Sequence, residues 1–293
     1  LFHPELMLSS LHSDQLGRWY SGDLLLQYQG LAEHDLLAGA EFQDDVRQQI
    51  EVRLSGFDEL LQGYYGHNQR RSFFLLDQWQ YNPTQSLLLG ARYDESRVSG
   101  HRISPRLGWV WQRSEAQQIK VLYGSAYRAA NLYEFATNFS FGQPVPQDEV
   151  INSAELVYEQ RLSPRFSYRL AWFDADMRRL IRMRPDDAVF SNAERLHQHG
   201  RNLDLDWRLD DGRMLTTAWS WQRGRDPSGY PLQNSPQHLI KLQYSQPLPL
   251  WRAELNIQAL GLSRRQVADS ILPGYGVINA GFRFQLHPQH QLV

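Results

Sequence analysis

The sequence predicts an all-β protein that crosses a membrane as an antiparallel up-and-down β-barrel. Three observations predict it: alternation of apolar and polar residues, unusually long strands, and short connections that alternate with long ones. The chain has 293 residues, 12% of them aromatic, and a mean hydropathy of −0.55. Its longest apolar runs have four residues, whereas a membrane-spanning helix needs roughly 20. A β-barrel remains possible because its strands are hydrophilic on average.

The alternation has a period of two residues and is clearest in the second half of the chain. In the stretch 202–209, one face carries Leu203, Leu205, Trp207 and Leu209, and the other carries Asn202, Asp204, Asp206 and Arg208. We count about thirteen such segments of roughly 10 to 13 residues, whereas ordinary strands have about 5 to 6. A bilayer crossing takes about 9 to 11 tilted residues, so these lengths favour membrane strands.

The connections are the third observation. Tight turns are predicted at Asn82-Pro83-Thr84, Ser114-Glu115-Ala116, Ser163-Pro164, Asp210-Asp211-Gly212 and Pro247-Leu248-Pro249. Longer loops are predicted at about 46–70, 95–102, 129–150, 182–196, 225–236 and 265–274. Short periplasmic turns and long extracellular loops are typical of outer-membrane barrels. Such barrels close with an even number of strands, so about thirteen strands indicate an incomplete barrel over residues 1–293.

Composition excludes several functions. There are 30 basic and 32 acidic residues, a net charge of −2, whereas nucleic-acid binding needs a basic surplus. The chain has no Cys, which excludes disulfides, zinc–thiolate sites and thiol nucleophiles. We expect no catalytic site, because the ten His residues are scattered. His197-Gln198-His199 suits either a metal-binding pair or, as we favour, a polar loop edge, so no metal site is expected.

Ordered motifs between residues 120 and 286 resemble those of TonB-dependent outer-membrane receptors. The segments are Lys120–Glu134, Ser153–Glu159, Trp172–Asp176, Gly200–Asp206, Asn234–His238 and Pro273–Tyr275. The first is similar to the family pattern YG-x-x-FRAPN-x-x-E, with Ala130 in place of the usual Pro, and the last to PGYxxxNxxL. In that family the barrel has 22 strands around a plug, so we expect about 13 of 22 strands here and no plug domain or TonB box in residues 1–293.

The resemblance implies uptake of a scarce solute, most commonly an iron–siderophore chelate, across the Gram-negative outer membrane with energy delivered by TonB through a plug. Expected partners are outer-membrane lipid, lipopolysaccharide, TonB and a small metal chelate, and no cofactor is expected. Loop 129–150 has no His, which disfavours haem as the solute.

Aromatic and arginine side chains in the long loops are the candidate ligand-binding residues, because they suit an anionic, aromatic-rich chelate. They are Arg128, Asn131, Tyr133, Glu134, Phe139 and Phe141 around loop 129–150, Tyr64 and Tyr65 in loop 46–70, and Arg182 and Arg184 in loop 182–196. The alternative is that these loops pack on each other and on lipopolysaccharide.

Asp174, Asp176, Asp204 and Asp206 are interpreted as lumen residues that pair with arginines such as Arg169. Four other functions remain as alternatives: a passive porin-like channel, a non-functional receptor fragment, a barrel hydrolase, and a soluble sugar-binding propeller. The scattered His residues argue against the hydrolase. The propeller is disfavoured because no fixed-length repeat is found.

Overall fold

The protein is built around one meandering antiparallel sheet. The computed structural model describes residues 11–54, 59–184, 189–192, 195–225, 229, 231–267, 270–287 and 290–292. The sheet has 14 strands, and each pairs with its neighbours along the chain except where two short hairpins intervene. Within the described residues the first and last strands are its edges and do not pair with each other, so the sheet that these residues form is open.

Thirteen of the 14 strands are long, as the alternation predicts, with 10 to 24 residues each. The main strands are β1 (Leu11–Tyr28), β2 (His34–Leu54), β3 (Glu59–Asn82), β4 (Gln85–Ser96), β5 (Gly100–Ser114), β6 (Gln117–Arg128), β7 (Glu149–Ser163), β8 (Phe166–Arg178), β11 (Leu196–Arg208), β12 (Met214–Arg225), β13 (His238–Leu248), β14 (Ala253–Leu262), β17 (Tyr275–His287) and the short β18 (His290–Leu292). The inserted hairpins are β9 (Ile181–Met183) with β10 (Phe190–Asn192), and β15 (Arg265–Val267) with β16 (Ser270–Leu272). One helix, α1 (Leu132–Ser140), follows β6.

Successive connections alternate between two ends of the sheet, which we call the turn end and the loop end, and the long connections lie at the loop end. At the turn end the tight turns at 83–84, 115–116, 164–165 and 209–213 are confirmed. Asn82 Oδ1 accepts from the Thr84 amide at 2.9 Å, and Gly212 has a φ of 84°. The fifth predicted turn lies slightly later, as a 3-10 turn at Pro249–Trp251.

Two predicted long loops are wrong. The region 46–70 is mostly strand, because β2 continues to Leu54 and β3 begins at Glu59. The connection near 95–102 is only residues 97–99. In both regions the strands continue with polar side chains on both faces, as at Gln48 and Gln49. This polarity resembles that of a loop, but the register shows continued pairing.

The two faces of the sheet differ in polarity. The register places Leu203 beside Leu170 and Trp219, and places Asp204 beside Arg169. We call the apolar side the outer face and the polar side the inner face. Large apolar side chains stay exposed on the outer face, including Ile278 at 74% and Leu26 at 64%. So large an apolar surface indicates contact with lipid or a partner. No helix among the described residues is long and apolar enough to cross a membrane.

Candidate functional site

The candidate site lies at the loop end, where the connection 129–148 folds over the inner face. Helix α1 begins at Asn131, whose side chain accepts from the Glu134 amide at 2.9 Å. Glu134 returns a carboxylate to the Asn131 amide at 2.8 Å, so both donors are satisfied in a capping box. The sequence Asn131-Leu132-Tyr133-Glu134 therefore starts a helix where only a loop was predicted.

Arg128 joins this helix to the strand wall. Its guanidinium donates to Glu134 at 2.9 and 3.0 Å and to Glu149 at 2.7 Å. Arg128 ends β6 and Glu149 begins β7, each five residues beyond the pair formed by Tyr123 and Ala154. Because aromatic side chains on the outer face mark the membrane interface, we assign Tyr123 to that interface and place Arg128 and Glu149 outside the membrane-spanning segment. Hydrogen bonding from Arg128 lowers the pKa of Glu149, and the two carboxylates raise that of Arg128. Arg128 is thus already paired with two acids.

Asn138 fixes the far end of the helix. It is 1% exposed, and its amide donates to the carbonyls of Pro144 and Phe190 at 2.7 Å each. Its Oδ1 accepts from the Phe190 amide, also at 2.7 Å. Three hydrogen bonds therefore connect α1 to its own connection and to β10, which belongs to the next long connection at the loop end.

Aromatic rings gather beneath α1. The ring of Tyr64, on the inner face of β3, lies 5.0 Å from Phe135 and 5.7 Å from Phe139 in edge-to-face geometry. Tyr133 packs against Phe190 at 5.6 Å, also edge to face. Such pairs prefer this geometry because the positive ring edge meets a negative face. The rings of Tyr64, Phe135 and Phe139 therefore pack the helix against β3.

A cavity of about 910 Å³ opens between α1 and strands β2 to β6. That size is sufficient for a drug-sized ligand. Its charged lining contains four arginines and three carboxylates, namely Arg70, Arg92, Arg106, Arg128, Glu41, Asp45 and Asp94. Arg92 binds Glu41 at 2.9 Å and Asp94 at 2.8 Å, and Arg70 lies 3.4 Å from Asp45. Arg106 also lines the cavity. The lining therefore combines arginine charge with aromatic surface.

The predicted ligand-binding residues fall into three groups. Those that line the cavity are Tyr64, Asn131 and Arg128. Those that pack or cap around it are Tyr133, Glu134 and Phe139. Those outside it are Tyr65, Phe141, Arg182 and Arg184. Tyr65 lies in β3, contrary to its placement in a loop, and hydrogen-bonds Glu51 on the face opposite Tyr64. Arg182 lies in β9 and Arg184 follows the end of this strand, and both side chains are exposed. Ligand contacts of all ten predicted residues stay predictions.

Sequence analysis missed Arg70, Arg92 and Arg106, which lie within strands and not in loops. The signal was available in the alternation, because Arg92 and Arg106 occupy polar positions of β4 and β5 that face the same side. The predicted ligand-binding residues were chosen from the long loops, so these strand arginines were not among them.

The lumen prediction for the aspartates holds in one pair of strands and fails in another. Asp204 pairs with Arg169 at 3.3 Å on the inner face, and Arg169 also reaches Glu155 at 3.2 Å. Asp174 and Asp176 instead share the outer face with Trp172. They lie beyond the apolar belt, where Asp174 pairs with His197 and Asp176 with arginines. The prediction was wrong for these two residues because β8 continues past Trp172 toward the loop end, where its outer face carries polar side chains.

The long strands, exposed apolar outer face and separation of turns from loops define a membrane β-barrel protein. A family model described as "TonB dependent receptor-like, beta-barrel" matches residues 6–292, so the chain belongs to that family of outer-membrane receptors. No curated protein sequence matches the chain.

Solved structures of siderophore receptors and of an iron transporter share this fold. A mutant ferric enterobactin receptor, PfeA, from Pseudomonas aeruginosa matches with a TM-score of 0.73 and 16% identity, over 96% of this chain and 47% of that one. The siderophore receptor PirA from Acinetobacter baumannii gives 0.74 and 16%, over 96% and 49%. The FrpB iron transporter from Neisseria meningitidis gives 0.69 and 12%, over 97% and 49%. The chain therefore spans about half the length of these receptors.

Proposed function

We propose that the chain forms the solute-binding wall of a TonB-dependent receptor in the outer membrane of a Gram-negative bacterium, and that the solute is an anionic iron–siderophore chelate. The observation that carries the proposal is the cavity of about 910 Å³ beneath α1. It brings arginine and aromatic side chains together at the end of the wall where long loops gather. Membership of the receptor family supports the location and the direction of transport.

The cavity suits a rigid chelate with aromatic groups. Tyr64 and Phe135 offer apolar edges on one side, and aromatic surface gives large contact area at low entropic cost. Arg106 lies in the lining contributed by β5, and its guanidinium supplies bidentate donors to catecholate or carboxylate oxygens. In the proposed cycle TonB acts through a plug, and lipopolysaccharide and lipid surround the outer face.

Uptake in cells tests the proposal. Cells that carry the gene for this chain are compared with a deletion strain for uptake of radioactive iron from a panel of ferric siderophores, with and without a protonophore. We expect at least one chelate to enter only when the gene is present, and entry to stop when the protonophore removes the energy that TonB delivers. Equal uptake by both strains for every chelate would overturn the proposal.

A variant links uptake to the cavity. Arg106→Gln removes one lining charge, and we expect the apparent KM for the active chelate to rise about tenfold, since a hydrogen bond to a charged group contributes about 1.5–3 kcal/mol. The control is Arg165→Gln, at the turn end, where Arg165 pairs with Asp210. An equal effect of both variants would contradict a role for the cavity.

A passive channel is the alternative, and the same protonophore experiment distinguishes it. Solute entry that depends on the gene but persists without energy would favour a channel over a TonB-coupled receptor.

A further inference from the structure

Three metal-ligating side chains meet on the outer face at the loop end, away from the cavity. Asp174 on β8 is the direct register partner of His199 on β11, and His197 lies two residues before it on the same face. One ligand atom from each of the three residues lies within 4.8 Å of the other two. The sequence showed only the His-x-His pair, for which a loop edge was favoured, whereas the sheet adds the carboxylate from the neighbouring strand.

The backbone holds this arrangement in place. Side chains two residues apart on a strand point to the same side, and a cross-strand partner stands about 5 Å away. His197 Nε2 lies 2.9 Å from Asp174 Oδ2, and the His197 and His199 rings are 5.8 Å apart. All three residues lie on paired strands, so moderate side-chain rotation suffices to bring three ligand atoms to one ion.

The neighbouring acid provides a contrast. Asp176 is hydrogen-bonded by Arg178 at 2.6 Å and also by Arg195. Its charge is therefore balanced by two guanidinium groups. Asp174 is paired with a histidine instead, and neutral imidazole is a metal ligand where guanidinium is not.

We propose that Asp174, His197 and His199 form a binding site for a divalent transition-metal ion of the zinc type. Two imidazoles and one carboxylate suit Zn²⁺, Ni²⁺ or Cu²⁺, whereas Mg²⁺ and Ca²⁺ prefer oxygen ligands alone. The ion takes the place of the hydrogen bond between His197 Nε2 and Asp174, and the neutral imidazole then coordinates through Nε2 and carries its one proton on Nδ1. Three protein ligands leave a position for water or an external group.

The site lies at the base of the connection that carries β9 and β10. Asp174 precedes this connection by a few residues on β8, and His197 follows it on β11. A bound ion therefore crosslinks the two strands from which the connection emerges. This proposal does not depend on siderophore uptake.

Zinc binding by the purified protein in chelator-free detergent tests the site. We expect isothermal titration with ZnCl₂ to show about one ion per chain, and His199→Gln to weaken the affinity at least about tenfold, since even an indirect ligand partner contributes that much. Asp174→Asn serves as a second variant should His199→Gln fail to fold, with folding checked by heat-dependent mobility on gels.

The matched control is His34→Gln. His34 forms a comparable pair with Asp77, at 2.9 Å between Nδ1 and Oδ2, at the turn end. This control should bind zinc as the wild type does. Three results would overturn the proposal: no saturable zinc binding by the wild type, equal affinity in the folded site variants, or displacement of zinc by equimolar Mg²⁺.

Discussion

Two long connections at the loop end are held in different ways. Connection 129–148 has a helix with a capping box, an arginine bound to two acids, and a buried asparagine. Connection 263–274 is a small hairpin, β15 with β16. Its contacts with other segments include the Asn234 amide donating to the Gln266 carbonyl at 2.7 Å and Arg265 donating to the Asn234 side chain at 2.9 Å. Ile271 in that hairpin is 60% exposed.

The difference shows what makes a surface loop part of a site. In connection 129–148 most anchors are partly buried polar contacts, and they satisfy backbone amides, carbonyls and charged groups that would otherwise need water as a partner. In connection 263–274 the side-chain hydrogen bond from Arg265 to Asn234 is exposed, so water replaces it at little cost. The first connection is therefore prearranged to form a cavity wall, and the second is suited to adjusting its contacts.

Asn138→Leu gives the largest expected effect on this contrast. The change keeps the branched shape and the number of side-chain heavy atoms but leaves the Phe190 amide and two carbonyls without their partner. We expect the local opening free energy of α1 and β10 to fall by about 2–4 kcal/mol. Hydrogen–deuterium exchange of residues 132–140 and 189–192 measures it.

The control for this variant is Gln143→Leu, an exposed position in the same connection. It should leave exchange of α1 unchanged, because Gln143 contributes its backbone amide and not its side chain to the bond with Asn138. Unchanged exchange in Asn138→Leu would show that the helix is held by other contacts.

The main sheet could be predicted from the sequence, whereas helix α1, the two short hairpins and the full length of β2 and β3 were not predicted. Successive side chains of a strand point to opposite faces of the sheet, so the apolar residues Leu203, Leu205 and Trp207 recur with a period of two. This pattern is local and can be read from the sequence. The turns at Ser163-Pro164 and Asp210-Asp211-Gly212 follow from local backbone preferences. Strand pairing then follows because strands that are neighbours in sequence pair in space, apart from the two inserted hairpins.

The site could be predicted only in part. Asn131 and Glu134 have capping-box spacing, so the helix start was available from the sequence, although a loop was predicted. The cavity depends on inner-face residues from separate strands, such as Arg70 and Arg106. The register between several strands decides which of these side chains lie close together, and a single sequence does not specify that register. For the same reason, the position of Asp174 beside His197 and His199 could not be predicted from the sequence.

Acidification should lower the stability of connection 129–148, by less than Asn138→Leu does. Hydrogen bonding from Arg128 holds the pKa of Glu149 below its usual value of 4.5. A lowered folded-state pKa means that the contribution to stability is fully present above pH 4.5 and is lost as the pH falls through the folded-state value. Exchange of residues 132–140, corrected for the intrinsic pH dependence, should therefore be faster at about pH 3 than at about pH 7.

Glu149→Gln separates this cause from general acid effects. The variant should lower protection at neutral pH and show a smaller further loss on acidification, because the introduced amide has no charge to titrate against Arg128. An identical pH response in wild type and variant would assign the effect to another group.

Arg265→Ala should have the smallest effect. The side chain donates one hydrogen bond to Asn234 and lies 5.9 Å from the centre of the Tyr275 ring. Because water can take over the hydrogen bond, we expect a loss of stability of no more than about 0.5 kcal/mol. Exchange of residues 265–267 and 270–272 should change little, and uptake should be retained. A loss of protection as large as that in Asn138→Leu would show that connection 263–274 is also anchored, and that the contrast between the two connections does not hold.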